Sequence, residues 1–214
     1  ERIKLEATQA VFAKTGRTLD IDGRLTLKFW PSIGLEVEKV TLSEQNSKQR
    51  FAAFDRARLS VRVMPLLSKR VVADNIELDG LNLALVRSKD GKLNIADLLG
   101  DDNESSPPPE FDVAGINVSK AQLEWRDEAK GSSLKFADLN LSTGHAVGSK
   151  AGLSIKDIKL GSKGKFGADN FELVLDVPEF SRSDDPVAAA KVGIEASLSG
   201  AARSGTARLD VSAI

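Results

Sequence analysis

The sequence predicts a mainly β protein with one N-terminal α-helix, and three observations carry that expectation. From Thr18 onward apolar residues recur with period two, an eight-residue apolar motif returns five times, and later segments keep helical spacing only in single turns. A chain of 214 residues has room for one large β domain or two small ones.

Residues 1–14 are good helix formers, with Ile3, Ala7, Ala10 and Phe12 at helical spacing, and Thr15-Gly16 ends them. The period then switches to two: Leu19, Ile21, Gly23, Leu25, Leu27 and Phe29 alternate with polar residues, predicting one long strand from Thr18 to Phe29. The same alternation returns in Ala57, Leu59, Val61 and Val63, and again in Phe171, Leu173, Leu175 and Val177. Val192 to Leu198 and Ala207 to Ala213 repeat it near the end. Short helical turns are expected at Met64 to Leu67 and at Ile95 to Leu99.

The recurring motif reads apolar, any, apolar, any, any, apolar, any, apolar. Its copies are Leu35-Val37-Val40-Leu42, Ile76-Leu78-Leu81-Leu83, Ile116-Val118-Ala121-Leu123, Leu134-Phe136-Leu139-Leu141 and Leu153-Ile155-Ile158-Leu160. Strict alternation would turn the second half of each strand outward. A β-bulge at the two inserted residues keeps both halves on one face and bends the strand. A tight turn between two short strands fits the same spacing. Residues 72–91 align on 112–131 at an offset of 40, matching Ile76 to Ile116, Leu83 to Leu123, Leu85 to Trp125 and Gly91 to Gly131, as stacked β units do. Lys89-Asp90-Gly91-Lys92 and Lys130-Gly131-Ser132 are hairpin signals.

Gly100 to Glu110 is acidic, Ser-rich and carries three prolines, so it is either a domain linker or a long surface loop, and because strands resume beyond it we place it as a loop within one continuous sheet. Ser181 to Pro186 is a second such loop. The chain starts at Glu1 without Met and stops at Ile214 within a strand pattern, so it is expected to be a section of something longer.

Composition removes most chemistry. The chain has no Cys and one His, His145, which eliminates thiol nucleophiles, disulfides and His-pair metal sites. A formal charge of −1 gives no field for general nucleic-acid binding. No G-x-S-x-G elbow occurs, so no catalytic residue, metal or cofactor is expected. His145 sits in a Gly-flanked turn, and Asp101, Asp102 and Glu104 form a solvated acidic loop.

A sheet with one apolar face must be covered, since leaving so many aliphatic side chains wet costs tens of kcal/mol. One 14-residue helix covers only part of it. Either the sheet folds on itself as a sandwich or barrel, or it curls into a trough whose lining is completed by lipid chains. Strands of 12 to 14 residues at Thr18 to Phe29, Asp74 to Val86 and Val113 to Arg126, bent by bulges, suit a curved sheet. A Leu, Ile and Val lining suits acyl chains.

The segment Thr15 to Gly23 (TGRTLDIDG), followed by Phe29 to Leu35 (FWPSIGL), resembles the opening of the AsmA family. Phe54 to Leu67, Val72 to Gly80 and Asp90 to Asn94 (DGKLN) are similar to its next elements, in the same order. The likeness covers residues 1 to about 100. It implies a long, bulged, highly curved antiparallel sheet forming a hydrophobic groove, like that of TamB and the chorein-type bridge proteins. It also implies a bacterial envelope protein, anchored in the inner membrane by a helix just before Glu1 and lying in the periplasm, which moves phospholipids toward the outer membrane. The single domain then divides into a helix at 1–14, an AsmA-like module at 15–100, an acidic loop at 101–110 and further β repeats at 111–214. The partners implied are phospholipid acyl chains, the inner membrane and an outer-membrane protein, with no nucleic acid. A non-enzymatic scaffold for outer-membrane assembly, recruiting partners through sheet edges, is the competing function.

The expected groove lining is Leu19, Ile21, Leu25, Leu27, Leu59, Val61, Val63, Ile76, Leu78, Leu81, Leu83 and Leu85 in the first half. In the second it is Ile116, Val118, Leu123, Trp125, Phe136, Leu139, Leu141, Ile155, Ile158, Leu160, Phe171, Leu173 and Leu175. Each of these also serves as ordinary core. Gly16, Gly23, Gly34 and Gly91 are expected turn glycines, with Pro31 in a Pro-x-x-Gly turn. Arg17 is read as a solvated or paired arginine, with contact to a lipid phosphate as the functional alternative. Arg56, Arg58 and Arg62 belong on the polar face, opposite carboxylates on neighbouring strands. Trp30 is expected at the edge of the core or the bilayer interface.

Overall fold

The computed structural model describes residues 2–29, 32–62, 64–65, 70–99, 110–149, 152–166, 169–183, 191–200 and 204–212. Several expectations fall outside these: Trp30, Pro31, Val63, Leu66, Leu67 and the acidic residues Asp101, Asp102 and Glu104. Helix α1 (Arg2–Thr15) comes first, ending at Gly16, whose φ of +68° is left-handed. It is followed by β1 (Leu19–Ile21), β2 (Leu25–Lys28), β3 (Ser32–Ser43), β4 (Arg50–Arg62), β5 (Val71–Asp79) and β6 (Asn82–Arg87). A one-turn helix α2 (Ala96–Leu99) precedes β7 (Phe111–Asp127), β8 (Ser132–Thr143), β9 (Ala146–Ser149), β10 (Gly152–Phe166), β11 (Asp169–Ser183), β12 (Lys191–Gly200) and β13 (Ser204–Ser212).

All thirteen strands among the described residues belong to one sheet, in the order β1-β3-β4-β5-β7-β8-β10-β11-β12-β13. The expected long strand from Thr18 to Phe29 is divided into β1 and β2, because β3 bulges opposite it. Gly23 lies so close to Glu38 that an added Cβ would be 2.4 Å from the Glu38 carbonyl oxygen. β2 pairs with β3, β6 with β4 and β7, and β9 with β10 and β7, so each continues the strand before it past a break.

The sheet is mixed, not wholly antiparallel as expected. β5 and β6 run parallel to β7 at an offset of 40, in the register Ile76 to Ile116, Leu83 to Leu123 and Leu85 to Trp125. The two similar sequence units therefore lie side by side, and the crossover through α2 joins them. Nothing in an alternating pattern distinguishes a parallel neighbour from an antiparallel one, so periodicity could not reveal this.

The repeated motif does produce bulges. In every copy the second inserted residue has positive φ: Lys39 (50°), Gly80 (69°), Lys120 (52°), Asp138 (49°) and Asp157 (50°). The left-handed turn takes up the extra residue and restores the facing of the strand. A second line of irregular pairing crosses the sheet at Ser60, Asp74 and Gly144, where β4, β5 and the β8–β9 junction skip residues.

Candidate functional site

Residues directly opposite each other on paired strands point to the same face, so the register shows which apolar side chains share a surface. Leu25 pairs with Val37, Val37 with Ala57 and Ala57 with Leu78. Leu78 pairs with Val118, Val118 with Leu141, Leu141 with Leu160 and Leu160 with Leu175. The same register reaches Ala196 and Ala207. An unbroken aliphatic row thus crosses the sheet at right angles to its strands.

Neighbouring rows run beside it. Leu27, Leu35, Leu59, Ile76 and Ile116 form one that meets Thr143. Leu19, Leu42, Ala52, Leu83, Leu123 and Phe136 form another, whose register continues to Gly164 and Phe171. Leu85 joins Trp125 and Leu134. Ile21 pairs with Val40, Leu139 with Ala121 and Ile158 with Val177. Leu81 sits at the β5–β6 break, and its carbonyl accepts from the Gln122 amide at 2.6 Å. Leu173 lies opposite Ser162, whose hydroxyl donates to the Ala137 carbonyl at 3.1 Å. That carbonyl is freed by the β8 bulge, so the one polar spot there satisfies a backbone group.

The degree of burial is informative. Every expected lining residue whose side chain is described is partly exposed, neither sealed nor wholly in solvent. The sealed apolar core is small. One cluster centres on Ala73, Val113 and Ala146, with Leu59, Val61, Ile76, Phe111, Ile116 and Ile155 packed against it, and Val37, Val40, Ala121 and Val177 are buried singly within the rows. This cluster belongs to a row running from Ile33 through Val61 to Ile155 and Phe180. Among the described residues no second layer covers the rest: α1 buries none of its residues and lies against the edge strand β1.

The opposite face is a charge ladder. Arg58 Nε donates to Glu36 at 3.0 Å and its Nη1 to Glu77 at 3.2 Å, and these two carboxylates hold its pKa above the ordinary value. Arg56 pairs with Glu38 at 3.6 Å and Arg62 with Asp74 at 3.2 Å. The Ser119 hydroxyl, donating to Asp79 at 2.8 Å, holds that carboxyl below the usual range, with Lys120 beside it.

Arg17 is fully buried and paired. Its Nε and Nη2 clamp the two oxygens of Asp97 at 2.7 and 2.6 Å, its Nη1 donates to the Ser43 carbonyl at 3.0 Å, and its Nη2 reaches the Asn94 carbonyl. The guanidinium stands 4.3 Å over the Phe51 ring, and Glu44 lies 3.7 Å away. Asn94 in turn donates to Glu44 and the Ala84 carbonyl and accepts from the Val86 amide. The knot joins the TGR element to the DGKLN element, 77 residues apart. Sequence reading singled out both but missed their contact; two polar motifs flanking an aliphatic stretch were the available signal.

The remaining expected positions are placed as follows. Gly91 has φ of +87° in the turn after β6, whereas Gly34 lies inside β3, paired with Lys28 and without positive φ. His145 Nε2 is 2.7 Å from Asp112, bridging β7 and the start of β9 near the surface. Among the described residues no group of three or more His, Cys, Asp and Glu side chains could hold a metal, and no helix is long and apolar enough to cross a membrane.

Comparison with known proteins bears on this architecture. The Protein AsmA of Escherichia coli (strain K12) is 27% identical over 124 residues, which is 55% of this chain and 20% of that protein, so the chain spans a small part of its relative's length. The model of the AsmA family matches residues 1–204, from the Arg17 knot through the aliphatic rows into β13, and the chain belongs to the AsmA family.

Proposed function

We propose that this chain is the periplasmic part of an envelope protein anchored in the inner membrane, which passes phospholipids toward the outer membrane along the aliphatic face of its sheet. Membership of the AsmA family supports the envelope role. The observation that carries the lipid reading is the unbroken row from Leu25 to Leu175, in which every member but the buried Val37 is partly exposed. An acyl chain laid on it removes water from both surfaces, worth about 0.8 kcal/mol for each buried methylene. Because successive positions along the row are chemically alike, the chain gains no deep minimum at any one of them and slides. The headgroup stays in water. No bond is made or broken, so the protein acts without catalytic groups, and direction must come from the membranes at either end.

A photo-crosslinking amino acid placed at Leu141 or Leu83 of the full-length protein in cells tests this, with Arg58 on the opposite face as control. Phospholipid adducts at the first two positions and none at the third are expected. Absence of adducts at Leu141 and Leu83, or equal labelling at Arg58, would overturn the lipid reading.

A further inference from the structure

The most exposed large apolar side chains of the first strands gather at one end of the sheet. Phe29 follows β2 and is 66% exposed, and Met64 follows β4 and is 69% exposed. The register Lys28 to Gly34 and Ser32 to Arg62 brings both strand ends to the start of β3. Phe29 keeps the parity of Leu25 and Leu27, so the aliphatic face runs out into this rim. Helix α1 is antiparallel to β1, since Thr8 donates to the Leu19 carbonyl while Lys4 reaches those of Ile21 and Gly23. Its N-terminal end therefore points the same way and carries exposed Ile3 and Leu5.

Charge accompanies this apolar rim. Lys28 and Arg70 are exposed and have no ion-pair partner among the described residues, and the Arg70 amide donates to the Pro65 carbonyl at 3.1 Å, fixing it beside Met64. The opposite end differs in character: the turns after β6 and β7 expose Lys89, Asp90, Lys92, Glu128 and Lys130, so that charges of both signs surround its exposed Leu93 and Leu98. Apolar tips flanked by free cations are what an interfacial membrane contact requires, because the tips enter the acyl boundary while the cations meet anionic headgroups.

We propose that the rim formed by Phe29, Met64 and the N-terminal turn of α1 docks on an anionic phospholipid bilayer surface, with Lys28 and Arg70 on its headgroups. The contact sets one lip of the sheet at the bilayer, and it is separate from lipid carriage along the rows.

The test is co-sedimentation of the chain with vesicles of phosphatidylglycerol and phosphatidylethanolamine, and with phosphatidylcholine vesicles. F29S/M64S should lower partitioning at least tenfold on both. K28Q/R70Q should lower it only on the anionic vesicles and remove its salt dependence. L141D, on the aliphatic row, should leave partitioning unchanged even where it abolishes lipid crosslinking. Because the chain has no Cys, F29C can carry an environment-sensitive fluorophore, whose emission should shift to the blue on vesicles without dependence on the fold of the double variant. Wild-type partitioning by F29S/M64S, no blue shift from F29C, or partitioning lost in L141D but kept in F29S/M64S would overturn the proposal.

Discussion

The Arg17 knot and the aliphatic rows lie within one sheet and treat burial in opposite ways. Around Arg17 a full charge is taken entirely out of water, and its donors meet Asp97 and the carbonyls of Ser43 and Asn94. Along the rows, Leu25, Leu78, Leu141 and Leu160 stay partly wet although nothing polar holds them there. A fold selected only for stability would seal the leucines and leave the arginine outside. The sheet thus withdraws a fully paired charge from water at the knot and leaves many aliphatic side chains partly exposed along the rows.

Breaking the knot should have the largest effect. Arg17→Ala removes the guanidinium from the partly buried Asp97 carboxylate and from the carbonyls of Ser43 and Asn94, so it should destabilise by about 3–5 kcal/mol in urea unfolding. Arg17→Lys should recover only part, since an ammonium cannot span both oxygens of Asp97. The knot also predicts a pH dependence. Arg17 holds the Asp97 carboxyl below the usual range, so the stabilisation is complete above the unfolded carboxylate pKa of about 3.9 and is lost as pH falls through the lower folded value. Asp97→Asn should lower stability at neutral pH and flatten the acid limb below about pH 4.

On the open face the effects on stability should be smaller and those on function larger. Leu141→Asp should cost about 1–3 kcal/mol, from lost burial of a half-covered side chain, yet abolish lipid crosslinking. A loss of stability matching that of Arg17→Ala would mean that the rows are sealed core. The bulges give the finest comparison. Gly80→Ala places a Cβ 2.2 Å from Asp55 Oδ2 at a φ of +69°, and should cost about 1–2 kcal/mol. Lys39→Gly, at a φ of 50°, relieves that same backbone strain and should shift the thermal midpoint upward, by the equivalent of up to about 1 kcal/mol.

Much of this architecture was legible in the chain. The apolar spacing of Ile116, Val118, Ala121 and Leu123 required an inserted pair, and Lys120 takes the positive φ that the insertion needs. The offset of 40 that matches Leu85 to Trp125 is the register in which those two residues pair. The family's opening motifs were legible too, though their role was not: Gly16-Arg17 reads as a turn, and only folding reveals that it closes on Asn94 and Asp97. Gly34 shows the converse error, since a glycine after a proline turn was assigned to the turn and lies in a strand.

What the sequence by itself determined is which residues share a face and where each strand bends, because alternation and inserted pairs are properties of neighbours along the chain. Only the tertiary structure decided that β5 and β6 lie parallel to β7, that the described strands form one sheet, and that Arg17 meets Asp97. Those contacts join residues tens of positions apart. Their choice depends on closing long loops and on the burial gained when distant strands meet, and no local pattern records either.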